Sequence, residues 1–333
     1  MDNLTHTLTG IAISQTGLNR KTRFATLALV LGSNAPDVDV LAGTRGSISY
    51  LEYHRGITHS LIGVTGLAVI LAAVIYFAGR QAKPKPAAPP LNARWLFAVC
   101  WIGTAGHLLL DFTNQYGVRP FLPFSGHWYA WDIMPIFDPA LWAIFALALG
   151  LPFLLRMVSE EVGARRPGYQ RGAVLALAGM LLLWGLRDFN HRRVIAEAAS
   201  NNYGQEPPLR LGAFPTLNPF DWSCVIETDS AYYMLPASAL SSDVDAADAE
   251  PFQKPEPSPA LDAAMKSHVG RVFMDFARFP WAQVEEDQDG YEVRIRDLRF
   301  GAASLGRFEA TVDLDRNLAV REQSFSFTGE PRR

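Results

Sequence analysis

Two histidines lie five positions apart in the segment HRGITHS, residues 54–60, directly before a long apolar stretch. A second pair, His107 and Asp111, has the i,i+4 spacing that places two side chains on one face of a helix. Asp37 and Asp39 lie in the segment APDVDV, where we expect an extended step to point both carboxylates the same way. Imidazole and carboxylate groups are the ligands of zinc and related divalent ions. The pattern therefore predicts a divalent-metal site, with zinc as the expected ion.

Several polar residues near these pairs have competing interpretations. Arg55 is predicted to clamp an anionic oxygen through its planar fork, and the alternative is an interfacial arginine with a snorkelling stem. Asp132, in the loop after residue 115, completes the predicted catalytic pair with Arg55. Asp138 precedes Pro139 and a helix, which is the pattern of a helix N-cap. His127 has no histidine or aspartate near it at the spacing of a metal-ligand pair, so we interpret it as a solvated loop residue.

Membrane helices are the elements expected to position these residues. A helix needs roughly 20 apolar residues to cross the hydrocarbon core. Four runs of about that length are predicted to span the membrane, at residues 61–79, 95–112, 140–157 and 172–189. Two shorter apolar stretches, residues 8–18 and 24–35, precede them and are expected to form half-embedded or bundle-buried helices.

Basic residues orient the predicted bundle. The links at residues 80–94 and 156–171 are rich in lysine and arginine, which favours the cytoplasmic side. The histidine and aspartate groups and the C-terminal half then lie on the opposite face, which is periplasmic in a bacterial inner membrane. His6 joins that face if the first short helix runs inward.

The composition divides the chain in two. Hydrophobic residues make up 49% of the 333 residues and charged residues only 19%, but the apolar runs end near residue 189. We therefore predict a polytopic α-helical membrane domain at residues 1–189 and a small soluble α+β domain at residues 190–333. The net charge of −3 predicts no nucleic-acid partner. Two cysteines make a disulfide framework unexpected, and the N-terminal segment lacks the pattern of a cleaved signal peptide.

The soluble half has alternating patterns typical of an antiparallel sheet. The segments WSCVIET and AYYMLPA are predicted to form a hairpin, and YEVRIRDL, RFEATVDLD and LAVREQSFSF are predicted strands. Residues 241–259 are expected to form a loose loop and residues 260–276 one amphipathic helix. We interpret this domain as a module that covers the substrate or docks a protein partner.

Five segments, in chain order, carry a family resemblance: MDNLTHTLTG, APDVDV, HRGITHS, GHLLLDFTNQYGVRPFLPFS and FDPALW. They resemble the YdjM-like family of inner-membrane metal-dependent hydrolases, also described as LexA-binding. The resemblance runs from the first residue to about Trp142, and PTLNPFDWSCVIETDSAYY is similar to the post-membrane domain of longer members. It implies a membrane-bound, zinc-dependent hydrolase with this shared polar set: His6, Asp37, Asp39, His54, His59, His107 and Asp111.

Two functions from different classes remain open on the sequence. The first is a hydrolase that acts on an ester or phosphoester, with a small-molecule or lipid-linked substrate, at the outer face of the inner membrane. The second is a non-catalytic membrane scaffold in which the histidine and aspartate cluster is structural. Motifs for a nucleophilic serine, a P-loop, an H-E-x-x-H zinc site or a C-x-x-C pair are absent from the sequence.

Overall fold

The computed structural model describes residues 1–84, 86–150, 154, 169–241, 244–301 and 308–327. The chain divides into two compact units, the first made of Met1–Asp39 and Arg55–Asp188, the second of Val40–His54 and Phe189–Arg333. The described α-helices, in chain order, are α1 (Asn3–Gln15), α2 (Ala25–Gly32), α3 (Ser47–Tyr53), α4 (Leu61–Gln81), α5 (Ala93–Phe112), α6 (Pro139–Phe145), α7 (Tyr169–Ala198), α8 (Pro259–Lys266) and α9 (His268–Phe276).

Three described helices, α4, α5 and α7, are long and apolar enough to cross a membrane. They correspond to three of the four predicted spans. The fourth, at residues 140–157, is described only at its start, where α6 continues into a π-helical turn, Ala146–Gly150. Its remainder lies largely outside the described residues, so the structure does not test that span. The two predicted short helices are present as α1 and α2.

Glycines allow α2 and α5 to approach closely. A Cβ atom at Gly103 would lie 2.9 Å from the Leu29 carbonyl oxygen and 3.0 Å from the Ser33 nitrogen. A Cβ atom at Gly32 would lie 2.9 Å from the Cys100 carbonyl oxygen. Small residues at such crossings let two membrane helices pack backbone to backbone. The contact fixes the end of α2, including Ser33, against the face of α5.

Gly103→Ala is therefore expected to lower the thermal stability of the detergent-purified protein. The added methyl group meets backbone atoms, and such overpacking costs about 1–3 kcal/mol. Gly106→Ala is the matched control on the same helix, since nothing lies within 4 Å of its Cβ position. There the change should be neutral or stabilising by up to ~1 kcal/mol, because alanine is the better helix former. Equal melting temperatures for the two variants would contradict the close-packing explanation.

The second unit contains two antiparallel sheets, each with its strands in sequential order. The first sheet consists of β1 (Arg210–Pro215), β2 (Asp221–Glu227), β3 (Ala231–Ser238) and β4 (Glu250–Gln253). The second consists of β5 (Pro280–Glu286), β6 (Gly290–Asp297), β7 (Glu309–Asp315) and β8 (Val320–Ser326). The predicted hairpin is confirmed as the β2–β3 pair, and the three predicted strands are confirmed as β6, β7 and β8.

The expected antiparallel strand pairing is confirmed, and the strands form two sheets. Two other sequence expectations for this unit were wrong. The segment expected to be a loose loop contains strand β4, which pairs with β3. The single helix expected at residues 260–276 is broken at Ser267, which has an extended backbone and caps α9 by accepting a hydrogen bond from Gly270 N. Serine favours such caps because its side chain competes with the backbone for hydrogen bonds.

Helix α3 belongs to the second unit, although it lies early in the chain. The Ser47 hydroxyl donates a hydrogen bond of 2.5 Å to the Phe325 carbonyl oxygen. The Tyr50 ring packs edge-on against Phe327, with centroids 5.0 Å apart. This placement was not expected from the sequence, because both contacts join residues more than 270 positions apart.

Candidate metal centre

Four ligand atoms converge in the first unit: His59 Nε2, His107 Nε2, Asp37 Oδ1 and Asp111 Oδ2. The two imidazole nitrogens are 3.0 Å apart. Asp37 Oδ1 lies 3.5 Å from the His59 nitrogen and 3.4 Å from the His107 nitrogen. Asp111 Oδ2 lies 3.3 Å and 3.4 Å from the same two atoms. We call this set the four-atom group.

Five of the six separations in the four-atom group match those of a tetrahedral metal site, and all four atoms lie within 4.8 Å of one another. Ligand atoms about 2.0–2.1 Å from a tetrahedral zinc ion lie about 3.3–3.4 Å from one another. The five distances between imidazole and carboxylate or imidazole atoms range from 3.0 to 3.5 Å. Asp111 Oδ2 is also buried and accepts no hydrogen bond from any described residue. The residues present therefore fit a divalent ion.

The second nitrogen of each imidazole has a hydrogen-bond acceptor. His107 Nδ1 is 2.8 Å from the Ser33 carbonyl oxygen, and His59 Nδ1 is 3.0 Å from Asp39 Oδ2. Both partners only accept hydrogen bonds, so each Nδ1 carries a proton and each Nε2 is the atom left to face the group. Metal-binding histidines have this arrangement, which fixes the ring and its tautomer. Two ring nitrogens facing each other at 3.0 Å favour a cation between them, either a proton or a metal ion.

The electrostatics of the group also favour positive charge. Burial lowers the pKa of His59, but the carboxylates of Asp111, Asp37 and Asp39 outweigh it and raise that pKa to about 10. Burial raises the pKa of Asp37, and its contacts with the His107 and His59 rings outweigh burial, so the pKa falls below its usual value. These carboxylates thus stabilise a cation at the position where the ligand atoms meet.

The start of α4 positions His59. His59 ends a short 3-10 turn, Ile57–His59, and Ser60 then caps α4 by accepting a hydrogen bond from Gly63 N at 3.0 Å. A Cβ atom at Gly63 would overlap the Ile57 carbonyl oxygen, so this tight turn requires glycine. His107 and Asp111 come from the last turns of α5, where their i,i+4 spacing places both on the buried face.

The expected extended step at Asp37 and Asp39 was wrong. Residues Ala35–Arg45 form a 3-10 helix. With three residues per turn, side chains two positions apart point to different sides. Asp37 therefore reaches Nε2 of His59 while Asp39 reaches Nδ1 of the same ring. Asp39 Oδ2 also accepts hydrogen bonds from Arg55 N at 2.9 Å and the Thr58 hydroxyl at 2.6 Å, so it supports the ring from outside the four-atom group.

Arg55 holds Asp111 from the side opposite the ligand atom. Its guanidinium donates to Asp111 Oδ1 at 2.9 Å, to Asn114 Oδ1 at 3.0 Å and to the Gly117 carbonyl at 3.1 Å. The residue is 4% exposed, and its backbone has a left-handed φ of 55°. The Met1 amino group also donates to Asp111 Oδ1. These contacts give Arg55 a positioning role, since they turn Oδ2 of Asp111 toward the imidazoles.

Two other predicted ligands lie outside the four-atom group. The His6 ring is fully buried and stacks on His107 with centroids 3.8 Å apart, and its Nε2 lies 3.4 Å from Asp111 Oδ1. His54 belongs to the second unit, where it ends α3 and stacks on Tyr50 at 4.5 Å.

The polar residues of the 115–139 loop also lie outside the four-atom group. Asp132 is half-buried with a left-handed φ of 60°. His127 is exposed and packs edge-on against Tyr129. Asp138 is confirmed as an N-cap, since it accepts a hydrogen bond of 2.8 Å from Leu141 N. It also forms an ion pair of 2.7 Å with Arg187, and both side chains are fully buried.

The sequence model of the YdjM inner membrane protein family matches residues 1–194, more than half of the chain. The chain belongs to this family. The YfhP C-terminal alpha/beta plait domain matches residues 259–330. The chain is 25% identical over 341 aligned positions to the uncharacterized protein YfhP of Bacillus subtilis (strain 168), covering 99% of this chain and 95% of that protein. No solved structure matches the chain.

The family match covers every residue of the four-atom group. It places the chain among inner membrane proteins, in agreement with the three candidate spans. Two residues that contact the site, Ser33 and Asn114, were not predicted from the sequence. Ser33 acts through its backbone carbonyl, for which no side-chain signal exists, whereas Asn114 stands three positions after Asp111 and could have been found from that spacing.

Proposed function

We propose that this protein is a membrane-bound, metal-dependent hydrolase that acts on an ester or phosphoester at the outer face of the inner membrane. The observation that carries the proposal is the four-atom group, with two imidazoles and two carboxylates at tetrahedral spacing. Structural zinc sites are rich in cysteine, whereas hydrolytic sites use histidine and carboxylate ligands. Both cysteines of this chain, Cys100 and Cys224, lie outside the group.

The four-atom group supplies the proposed ligands, and zinc is the proposed ion. A divalent ion bound there supplies Lewis acidity and lowers the pKa of water toward neutrality. Asp37 is the most accessible ligand, with 14% of its side chain exposed, whereas the other three are at most 1% exposed. The proposal therefore places substrate entry beside Asp37. Catalytic roles for Arg55 and Asp132 remain predictions, and for Arg55 the structure supports positioning of Asp111.

The test is metal analysis of detergent-purified protein followed by a screen of ester and phosphoester substrates. Wild type is expected to bind metal stoichiometrically and to turn over at least one substrate class. His59→Ala should lose both properties, because it removes a ligand and the ring that Asp39 holds. His127→Ala is the matched control, since that histidine is exposed and should leave metal content and turnover unchanged. Turnover that persists in metal-depleted His59→Ala would refute the proposal.

A structural metal site is the second candidate. Four protein atoms already complete a tetrahedral shell, which is typical of structural zinc sites without an open position. In that case metal removal would unfold the first unit, and no substrate in the screen would be turned over. The protein would then act as a membrane scaffold, with residues 190–333 available for a protein partner.

We further propose a multi-pass topology with the membrane domain at residues 1–189 and a periplasmic domain at residues 190–333. The basic link at residues 80–94 is assigned to the cytoplasm, and three crossings would follow it. Alkaline phosphatase fused after the last residue, an enzyme active only outside the cytoplasm, is expected to be active. The same fusion after residue 84 should be inactive. Activity in the reverse pattern would refute the orientation.

A further inference from the structure

An apolar groove runs between α4 and α5 in the first unit. Its volume is about 600 Å³, within the range of roughly 300–1,000 Å³ typical of small-molecule sites. The large apolar and aromatic side chains that line the groove include Leu61, Val64, Trp101, Leu108, Phe112 and Tyr129. Thr65 and Trp101 are polar residues in the wall that satisfy each other, since Trp101 Nε1 donates to the Thr65 hydroxyl at 3.3 Å. The groove therefore suits an apolar occupant.

The position of the groove makes a lipid chain the favoured occupant. Both helices that form its walls are candidate membrane spans, so the groove opens into hydrocarbon. One rim carries exposed aromatic rings, with Phe121 46% and Tyr129 37% exposed and their centroids 5.4 Å apart. Aromatic rings of this kind collect at the level of lipid headgroups. An acyl chain in the groove would place its polar end at this rim.

The groove also adjoins the four-atom group. Leu108 directly follows His107, Phe112 directly follows Asp111, and Leu61 lies two residues after His59. Consecutive Cα atoms are about 3.8 Å apart, so the groove walls lie on the same turns of the chain as the ligand residues, on a neighbouring face of α5. A lipid held by these walls would have its polar end within about one helix turn of those residues.

We propose that the groove binds one acyl chain of a membrane glycerophospholipid and presents the headgroup end of that lipid to the four-atom group. This inference rests on the proposed function, for which it names the substrate class. The groove recognises the hydrocarbon chain of the lipid, and the ligand atoms contact its ester or phosphoester region.

The test uses a phosphatidylglycerol that carries a photoreactive diazirine in one acyl chain. Wild-type protein is reconstituted into vesicles of phosphatidylethanolamine and phosphatidylglycerol that contain this probe, and the labelled residues are mapped after illumination. Labelling is expected to concentrate on groove walls of α4, α5 and the 118–129 loop. Ala105→Trp, which fills the groove, should reduce that labelling about tenfold, corresponding to ~1.4 kcal/mol of lost binding. Ile70→Trp is the matched control, because Ile70 is 62% exposed on α4 and outside the groove.

Metal content is measured in the same samples, so that failure of the lipid-groove proposal can be distinguished from failure of the hydrolase proposal. Retained metal with lost labelling in Ala105→Trp supports the groove as a lipid site. Groove labelling in a wild-type protein without turnover would keep the lipid site and reject the hydrolase. Uniform labelling of all lipid-facing surfaces in wild type would overturn the groove proposal, and this readout does not depend on any variant folding.

Discussion

Asp111→Asn is expected to abolish stoichiometric metal binding and to lower the free energy of unfolding of the first unit by about 3–5 kcal/mol. Asp111 supplies one oxygen to the four-atom group, and its other oxygen accepts the Arg55 guanidinium at 2.9 Å. The Asp111 side chain is 1% exposed and that of Arg55 5% exposed. Asparagine would leave the arginine charge buried without its carboxylate, which is the costly half of a broken ion pair. Unfolding in detergent micelles and metal analysis measure the two effects.

The double variant Arg55→Met/Asp111→Asn separates those effects. It removes both charges, so a large part of the lost stability should return, because an apolar side chain of similar volume can replace a buried ion. Metal binding should not return, since the ligand oxygen of Asp111 has been replaced by an amide group. A double variant as unstable as Asp111→Asn would show that the Arg55 pair is not the cause. Recovery of metal in the double variant would remove Asp111 from the ligand set.

Arg187→Met is expected to destabilise the same unit by about 3–5 kcal/mol without a direct effect on the ligands. Arg187 lies on α7 and pairs with Asp138 at 2.7 Å, with both side chains fully buried. The Asp138 side chain would then be buried away from water without its ion-pair partner, which is costly for a polar group. The measurement is unfolding of the detergent-purified variant, with metal content as a second readout.

Two further variants control this prediction. Arg193→Met lies on the same helix at an exposed position, so its free energy of unfolding should change by less than about 0.5 kcal/mol. Asp138→Asn/Arg187→Met removes both charges while asparagine keeps the N-cap on α6, and it should recover stability relative to Arg187→Met. An Arg187→Met protein as stable as Arg193→Met would show that the buried pair contributes nothing net.

Local patterns in the sequence predicted the elements well. Apolar runs predicted α4, α5 and α7, because the length of a spanning helix is set by bilayer thickness alone. Alternation predicted β6, β7 and β8, because side chains of a strand alternate between two faces. The break between α8 and α9 at Ser267 was not predicted, because one serine cap outweighed an otherwise continuous amphipathic pattern. The run at residues 140–157 lies partly outside the described residues.

The sequence by itself determined which residue types could bind a metal and that His107 and Asp111 share a helix face. Only the tertiary structure decided that the ligand atoms of the four-atom group meet at one point. It also decided that Asp39 and Ser33 accept hydrogen bonds from the two imidazole rings. The contact between Arg55 and one oxygen of Asp111 likewise depends on the tertiary structure. Helix periods and apolar lengths arise from interactions within a few residues, which any short segment displays. The metal centre depends on contacts between residues up to 74 positions apart, such as His59 with His107 and Ser33 with His107. Close packing of α2 on α5 brings the Ser33 carbonyl against His107, and no local pattern encodes which atoms it brings together.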